Sequence, residues 1–139
     1  MPNDPAFIGE TRSWLRKAQM DLDTGAFELT ADPPFSADVA FHAQQAAEKS
    51  IKAFLTWHAQ TFRKTHNLVE LGQACAALDS SLEPTLKRSA GLSEYAWKFR
   101  YPGETEEPTR DEAQEALAIA QEVYKAVLVR LPEEVHPQR

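Results

Sequence analysis

Seven residues have types and spacing suited to holding an anion: His42, Gln45, Lys49 and Lys52 within FHAQQAAEKSIKA, His66 just beyond, and Arg100 with Tyr101 further on. Read as a helix, residues 41–53 place the first four within roughly 80° of one another. Imidazole, amide and two ammonium groups then share one stripe, opposite an apolar side of Ala40, Ala43, Ala47, Ile51 and Phe54. Arginine offers a bidentate fork for phosphate, lysine a point charge, and histidine a donor or proton-transfer group near neutral pH. Each residue also has a plainer reading: a histidine bonded to a neighbour, lysines on a solvated face, an arginine against the last carbonyls of a helix.

Other chemistry finds less support. Helical di-metal bundles need Glu-x-x-His pairs on facing helices, and the sequence has that spacing only once, Glu133 to His136 in the segment after Pro132, with no second to face it; nor does it have a His-x-x-x-His pair. There is no Gly-x-Ser-x-Gly elbow and no phosphate-binding glycine loop, with the five glycines scattered at 9, 25, 72, 91 and 103. Cys75 is the only cysteine, which excludes an intrachain disulfide, and its apolar neighbours predict a packing role. No cofactor is expected.

The elements that must position these residues follow from period and punctuation. The chain has 139 residues, 26% of them charged and 42% apolar, the profile of one globular domain. Residues 1–10 lack a period and read as an arm. A first helix is predicted from Thr11 to Thr30 on a stripe of Trp14, Ala18, Leu22, Ala26 and Leu29, interrupted by Gly25 and ended by Pro33-Pro34. Ser36 is placed to cap a second helix running to about Ala59, some 35 Å long. Asn67 and Glu70 form a capping pair for a third helix with Leu68, Leu71, Cys75 and Leu78 on its apolar side. A fourth, with Pro84 in its first turn, carries Leu82, Leu86 and Ala90 and stops near Phe99, before a Pro102-Gly103 turn. Thr109 and Glu112 make a capping box for the last helix, whose stripe is Ala113, Ala116, Leu117, Ala120, Val123, Tyr124, Val127 and Leu131. Residues 132–139 read as a tail. The expected fold is an all-α, up-and-down antiparallel bundle of four to five helices over 11–131.

Net charge is −6, which argues against coating nucleic acid by bulk electrostatics. Its distribution is uneven: residues 42–100 carry eight basic and five acidic side chains, while 1–41 carry three and seven and 101–139 four and nine. A basic middle in an acidic chain is compatible with a local anion site. No apolar run reaches the ~20 residues of a membrane span and no leader pattern opens the chain, so the expected location is cytoplasmic.

The ordered motifs AFHAQQAAEKSIKAFL, THNLVEL and FRYPGETEEPTRDEAQEALAIAQEVYKAV resemble HEPN domains (higher eukaryote and prokaryote nucleotide-binding). The resemblance implies a helical bundle, commonly a homodimer, often paired as toxin and antitoxin with a minimal nucleotidyltransferase, and binding nucleotides or cutting RNA without metal. Ribonuclease members carry an Arg followed four to six residues later by a His. From Arg100 the corresponding positions are Thr105, Glu106 and Glu107, so the nuclease motif is missing; Arg130 and His136 have the spacing, but Pro132 lies between them. Three readings stand: a nucleotide- or RNA-binding module whose anion site is His42, Gln45, Lys49, Lys52, His66, Arg100 and Tyr101; a purely structural homodimeric interaction protein; and a metal-independent ribonuclease with His42 or His66 as base.

Overall fold

In the computed structural model, which describes residues 4–99, 102–103 and 106–137, the described residues form five α-helices and no strand. They are α1 (Pro5–Leu29), α2 (Ser36–Trp57), α3 (Leu68–Leu78), α4 (Glu83–Ser89) and α5 (Arg110–Leu128). The all-helical bundle read from the pattern is the fold observed. Helix α2 is its axis: α1 and α5 pack along it, α3 crosses its C-terminal half, and Ala40, Ala43, Ala46, Ala47, Ile51, Phe54 and Leu55 are all buried there. A run of alanines lets neighbouring backbones come close, so side chains from three sides interdigitate around one helix.

Helix α1 begins six residues before the expected Thr11. Asp4 accepts a hydrogen bond from the Ala6 amide at 2.8 Å, and Pro5 occupies the first helical position, where its missing N–H costs nothing. Residues 5–10 therefore extend the helix instead of forming an arm. The buried side of α1 is also rotated from the expected stripe, since Leu15 and Gly25 are buried whereas Trp14 is half-buried and Ala26 exposed. Gly25 is an approach point: a Cβ there would lie 3.1 Å from Leu117 Cδ1 of α5 and 3.6 Å from His42 Cβ. Ser36 is the first residue of α2 and not its cap, because Phe35 holds that position without a side-chain bond.

Asn67 caps α3, its Oδ1 accepting from the Val69 and Glu70 amides at 2.9 and 3.2 Å. Glu70 does not complete a box; both of its oxygens accept from Arg63 Nε, and Leu78 is exposed. The single fourth helix divides into a 3₁₀ turn at Ser80–Leu82, α4, and a 3₁₀ run at Ala90–Ala96, with Tyr95 stacked on Phe99 at 5.6 Å. Gly91 falls where the helix changes pitch. Arg100 and Tyr101 lie outside the described residues, as do Glu104 and Thr105 of the loop; Gly103 has a φ of +127°, a conformation that suits glycine.

Every residue of the α5 stripe is buried as predicted. Both halves of the capping box form: Thr109 Oγ1 accepts from the Glu112 amide at 3.1 Å, and Glu112 Oε1 accepts from the Thr109 amide at 2.9 Å. The helix ends at Leu128, earlier than Leu131. Residues 133–135 then make a 3₁₀ turn that buries Val135, and His136 Nε2 meets the carbonyls of Leu128 and Leu131 at 2.9 and 3.1 Å. The C-terminal segment thus seals the bundle. Thr109→Ala, which removes one half of the box, is expected to cost about 1 kcal/mol, read as a lower urea midpoint with an unchanged m value.

Candidate functional site

The stripe on α2 divides between two ion networks. At one end the Asp21 carboxylate, on the buried side of α1, binds two α2 groups one above the other: His42 Nδ1 at 2.9 Å and Lys49 Nζ at 2.7 Å. The seven-residue separation of His42 and Lys49, two helical turns, is what lets one carboxylate serve both. Across the ring, His42 Nε2 lies 3.7 Å from Glu28 Oε1, an oxygen that is buried and has no hydrogen-bond partner. The bond to Asp21 raises the His42 pKa above its ordinary value, against an opposing effect of burial. Burial, with the neighbouring Asp38 carboxylate second, raises that of Glu28.

The second network sits at the middle of α2. Glu48 is 3% exposed, and Lys52, one turn on, is 7% exposed, yet they pair at 2.9 Å. Glu48 Oε1 also accepts from Gln44 Nε2 at 3.0 Å and meets His66 Nδ1 at 2.6 Å, while Gln45 Nε2 donates to Gln44 Oε1 at 2.6 Å. The Lys52 ammonium lies 5.5 Å from the ring centre of Trp14 and 5.7 Å from that of Phe62, so two aromatic faces replace the water it has lost. His66 itself is held at Nδ1 while its side chain is 64% exposed.

Of the seven expected residues, the structure joins Gln45, Lys52 and His66 in one network and His42 and Lys49 in the other; Arg100 and Tyr101 lie outside the described residues. Asp21, Glu28 and Glu48, which the sequence pattern does not single out, are the carboxylates that organise both. Glu48 had a visible signal: with Lys52 it forms an i,i+4 Glu–Lys pair on a helix. Asp21 and Glu28 had none, since their role depends on how α1 is rotated against α2.

The remaining polar clusters hold the fold together. Arg130 Nε bonds Asp79 Oδ2 at 3.2 Å and its Nη2 donates to Ser81 Oγ at 3.0 Å, tying the end of α5 to the turn before α4. Neither Arg130 nor His136 faces the α2 networks. Cys75 is buried, with its Sγ 3.7 Å from the Ile51 carbonyl, and burial pushes its thiol up to about 12. An open groove of about 460 Å³ between α3 and α4, lined by Leu68, Gly72, Ala76, Leu86 and Ala90, shares no residue with either network. Among the described residues no group of three or more His, Cys, Asp and Glu side chains is arranged for a metal, and no helix is long and apolar enough to cross a membrane.

Removing one member of a buried pair leaves the other charge stranded, so Lys52→Met is expected to destabilise the fold by about 3 kcal/mol. The double variant Glu48→Gln, Lys52→Met should recover part of that loss in urea denaturation. A thiol as buried as Cys75 should be silent to Ellman's reagent at pH 8 until the protein is unfolded.

In comparisons with known proteins, the model described as "HEPN domain" matches residues 11–133. Among solved structures, the chain is similar to the crystal structure of TT1696 from Thermus thermophilus. The two are 27% identical with a TM-score of 0.69, and the match covers 88% of this chain and 98% of that one. Comparison with curated protein sequences gives no match. With the family model spanning nearly all of the bundle, both networks included, the chain belongs to the HEPN domain family.

Proposed function

We propose that this chain is a nucleotide- or RNA-binding module, homodimeric, and one half of a toxin–antitoxin type pair with a minimal nucleotidyltransferase. The observation that carries the binding reading is the outward imidazole of His66, fixed at Nδ1 by a carboxylate that is itself buried and neutralised. Such a ring is pre-oriented, so little freedom is lost when it meets a phosphate oxygen. It stands on a connection, residues 58–67, that includes the exposed Lys64 and the exposed Arg63, the latter paired with Glu70 of α3, and Gln45 lies beside its anchor. In this reading Lys52 and Glu48 are positioning residues. Lys49, partly exposed, supplies a second cation when a ligand competes with Asp21, and Arg100 and Tyr101, which lie outside the described residues, complete the proposed set. The missing Arg-to-His motif favours binding over RNA cleavage.

A second reading, a structural homodimer, is favoured by a different observation: His42, Lys49 and Lys52 already have carboxylate partners within the chain, and Met20, Phe27 and Phe35 are exposed at 61%, 78% and 61%. Titrating labelled ATP and a short single-stranded RNA against wild type, His66→Ala and the double variant Arg63→Ala, Lys64→Ala separates the two. The binding reading expects each variant to bind about tenfold more weakly, a loss of roughly 1.4 kcal/mol, with a shallower salt dependence for the double variant. Identical affinities would remove the site. Sedimentation of Phe27→Ser that yields monomer with ligand affinity intact would favour the structural reading.

A further inference from the structure

We propose that Asp21, Glu28, Asp38 and His42 form a proton-operated clasp between the end of α1 and the start of α2, closed while a proton is held within the cluster and loosened when it leaves. The clasp is independent of the nucleotide-binding reading. Its origin is visible in composition: from residue 18 to residue 41 there are five carboxylates and no lysine or arginine. Three of the five, Asp21 and Glu28 from α1 and Asp38 from the first turn of α2, gather around His42. Lys49 is the only cation placed against them from further along α2, and it is bound to Asp21. Leu117 of α5 lies beside Gly25 at the base of His42, and Phe41 meets the ring edge-on at 5.5 Å.

With His42 neutral, the cluster has two more negative charges than positive ones in a half-buried setting. A proton on the imidazole lets it bridge Asp21 at 2.9 Å and Glu28 at 3.7 Å, joining the two helices. A proton on Glu28 removes one of the two adjoining carboxylate charges instead and permits a hydrogen bond between Glu28 and Asp38. Glu28 Oε1, buried without a partner, is the atom that bears the cost when neither is protonated.

Both shifts act in one direction. The His42 pKa lies above its ordinary 6.5, so its contribution to the closed form is complete below that value and is lost as pH rises through the raised one. The Glu28 pKa lies above its ordinary 4.5, so folding favours its protonated form, and that contribution too is lost as pH rises. The clasp therefore tightens on acidification, across a window that begins near 4.5 and extends past 6.5.

Amide hydrogen exchange of the wild-type chain at pH 6.0 and 8.5, corrected for intrinsic rates, tests this directly. Opening of residues 25–42 relative to α5 is expected to be about tenfold greater at the higher pH. Glu28→Gln, which removes the stranded charge, should be better protected than wild type at pH 8.5 and show a smaller pH response, the remainder coming from the His42–Asp21 pair. His42→Asn, which retains a donor to Asp21 but cannot titrate, should lose the pH response. An NMR titration placing the His42 imidazole above 6.5 in wild type and lower in Asp21→Asn would support the clasp without relying on either variant. Equal corrected opening at both pH values, a pH response unchanged in Glu28→Gln and His42→Asn, or a His42 resonance titrating at or below 6.5 would overturn it.

Discussion

A carboxylate placed inside a helix that is enclosed on nearly every side must be neutralised by its own surroundings, and in this bundle Glu48 sets that requirement. Leaving it unmatched would cost several kcal/mol. The match is supplied from separate parts of the chain: Lys52 and Gln44 from the same helix, and His66 from the connection to α3. Trp14 of α1 and Phe62 of that connection then cover the Lys52 ammonium, and they meet edge-to-face at 6.4 Å. One buried charge thereby fixes the relation of α1, α2 and the following loop. Apolar packing alone would leave the loop free to slide; hydrogen bonds with defined directions do not.

The alanines of α2 and Gly25 of α1 are the other half of this arrangement. Small side chains bring α1, α2 and α5 together closely enough that Asp21 spans the gap to His42 and Lys49 with ordinary bond lengths. A larger residue at position 25 would meet Leu117 of α5 and the base of His42. Close packing and ion pairing are thus coupled, and polar atoms are brought to helix–helix contacts only because the helices between them carry so little bulk.

Sequence alone was most informative where one local rule acted without competition. The last helix has a capping box and an unbroken apolar stripe, and both appear as read. It was less informative where tertiary contact decided the outcome. Pro5 reads as a break but serves as a helix start, and Trp14 reads as core although the buried position belongs to Leu15, because α1 is turned to bring Asp21 inward. The C-terminal residues read as a tail because nothing local reveals that Val135 fills the base of the bundle. At the site, helical geometry put His42, Gln45, Lys49 and Lys52 on one stripe, but no periodicity could reveal that the partners of the basic members would be carboxylates supplied from α1 and from the flank of α2 itself.

Those partners constrain how any anionic ligand can be held. To reach Lys52 a phosphate would have to displace a buried carboxylate and two aromatic rings; to reach Lys49 it would have to compete with Asp21 at 2.7 Å. An anion gains little by exchanging one carboxylate for another, since the desolvation cost recurs and the Coulombic gain is merely replaced. New binding energy has to come from groups whose charge or donors still face water, and the exposed His66 ring, with the exposed Lys64 beside it in the loop, has that character, whereas Arg63 is already paired with Glu70. The stripe that draws attention in the sequence is then best understood as the foundation of the site, with the recognition surface one layer further out, on the connection that Glu48 holds in place.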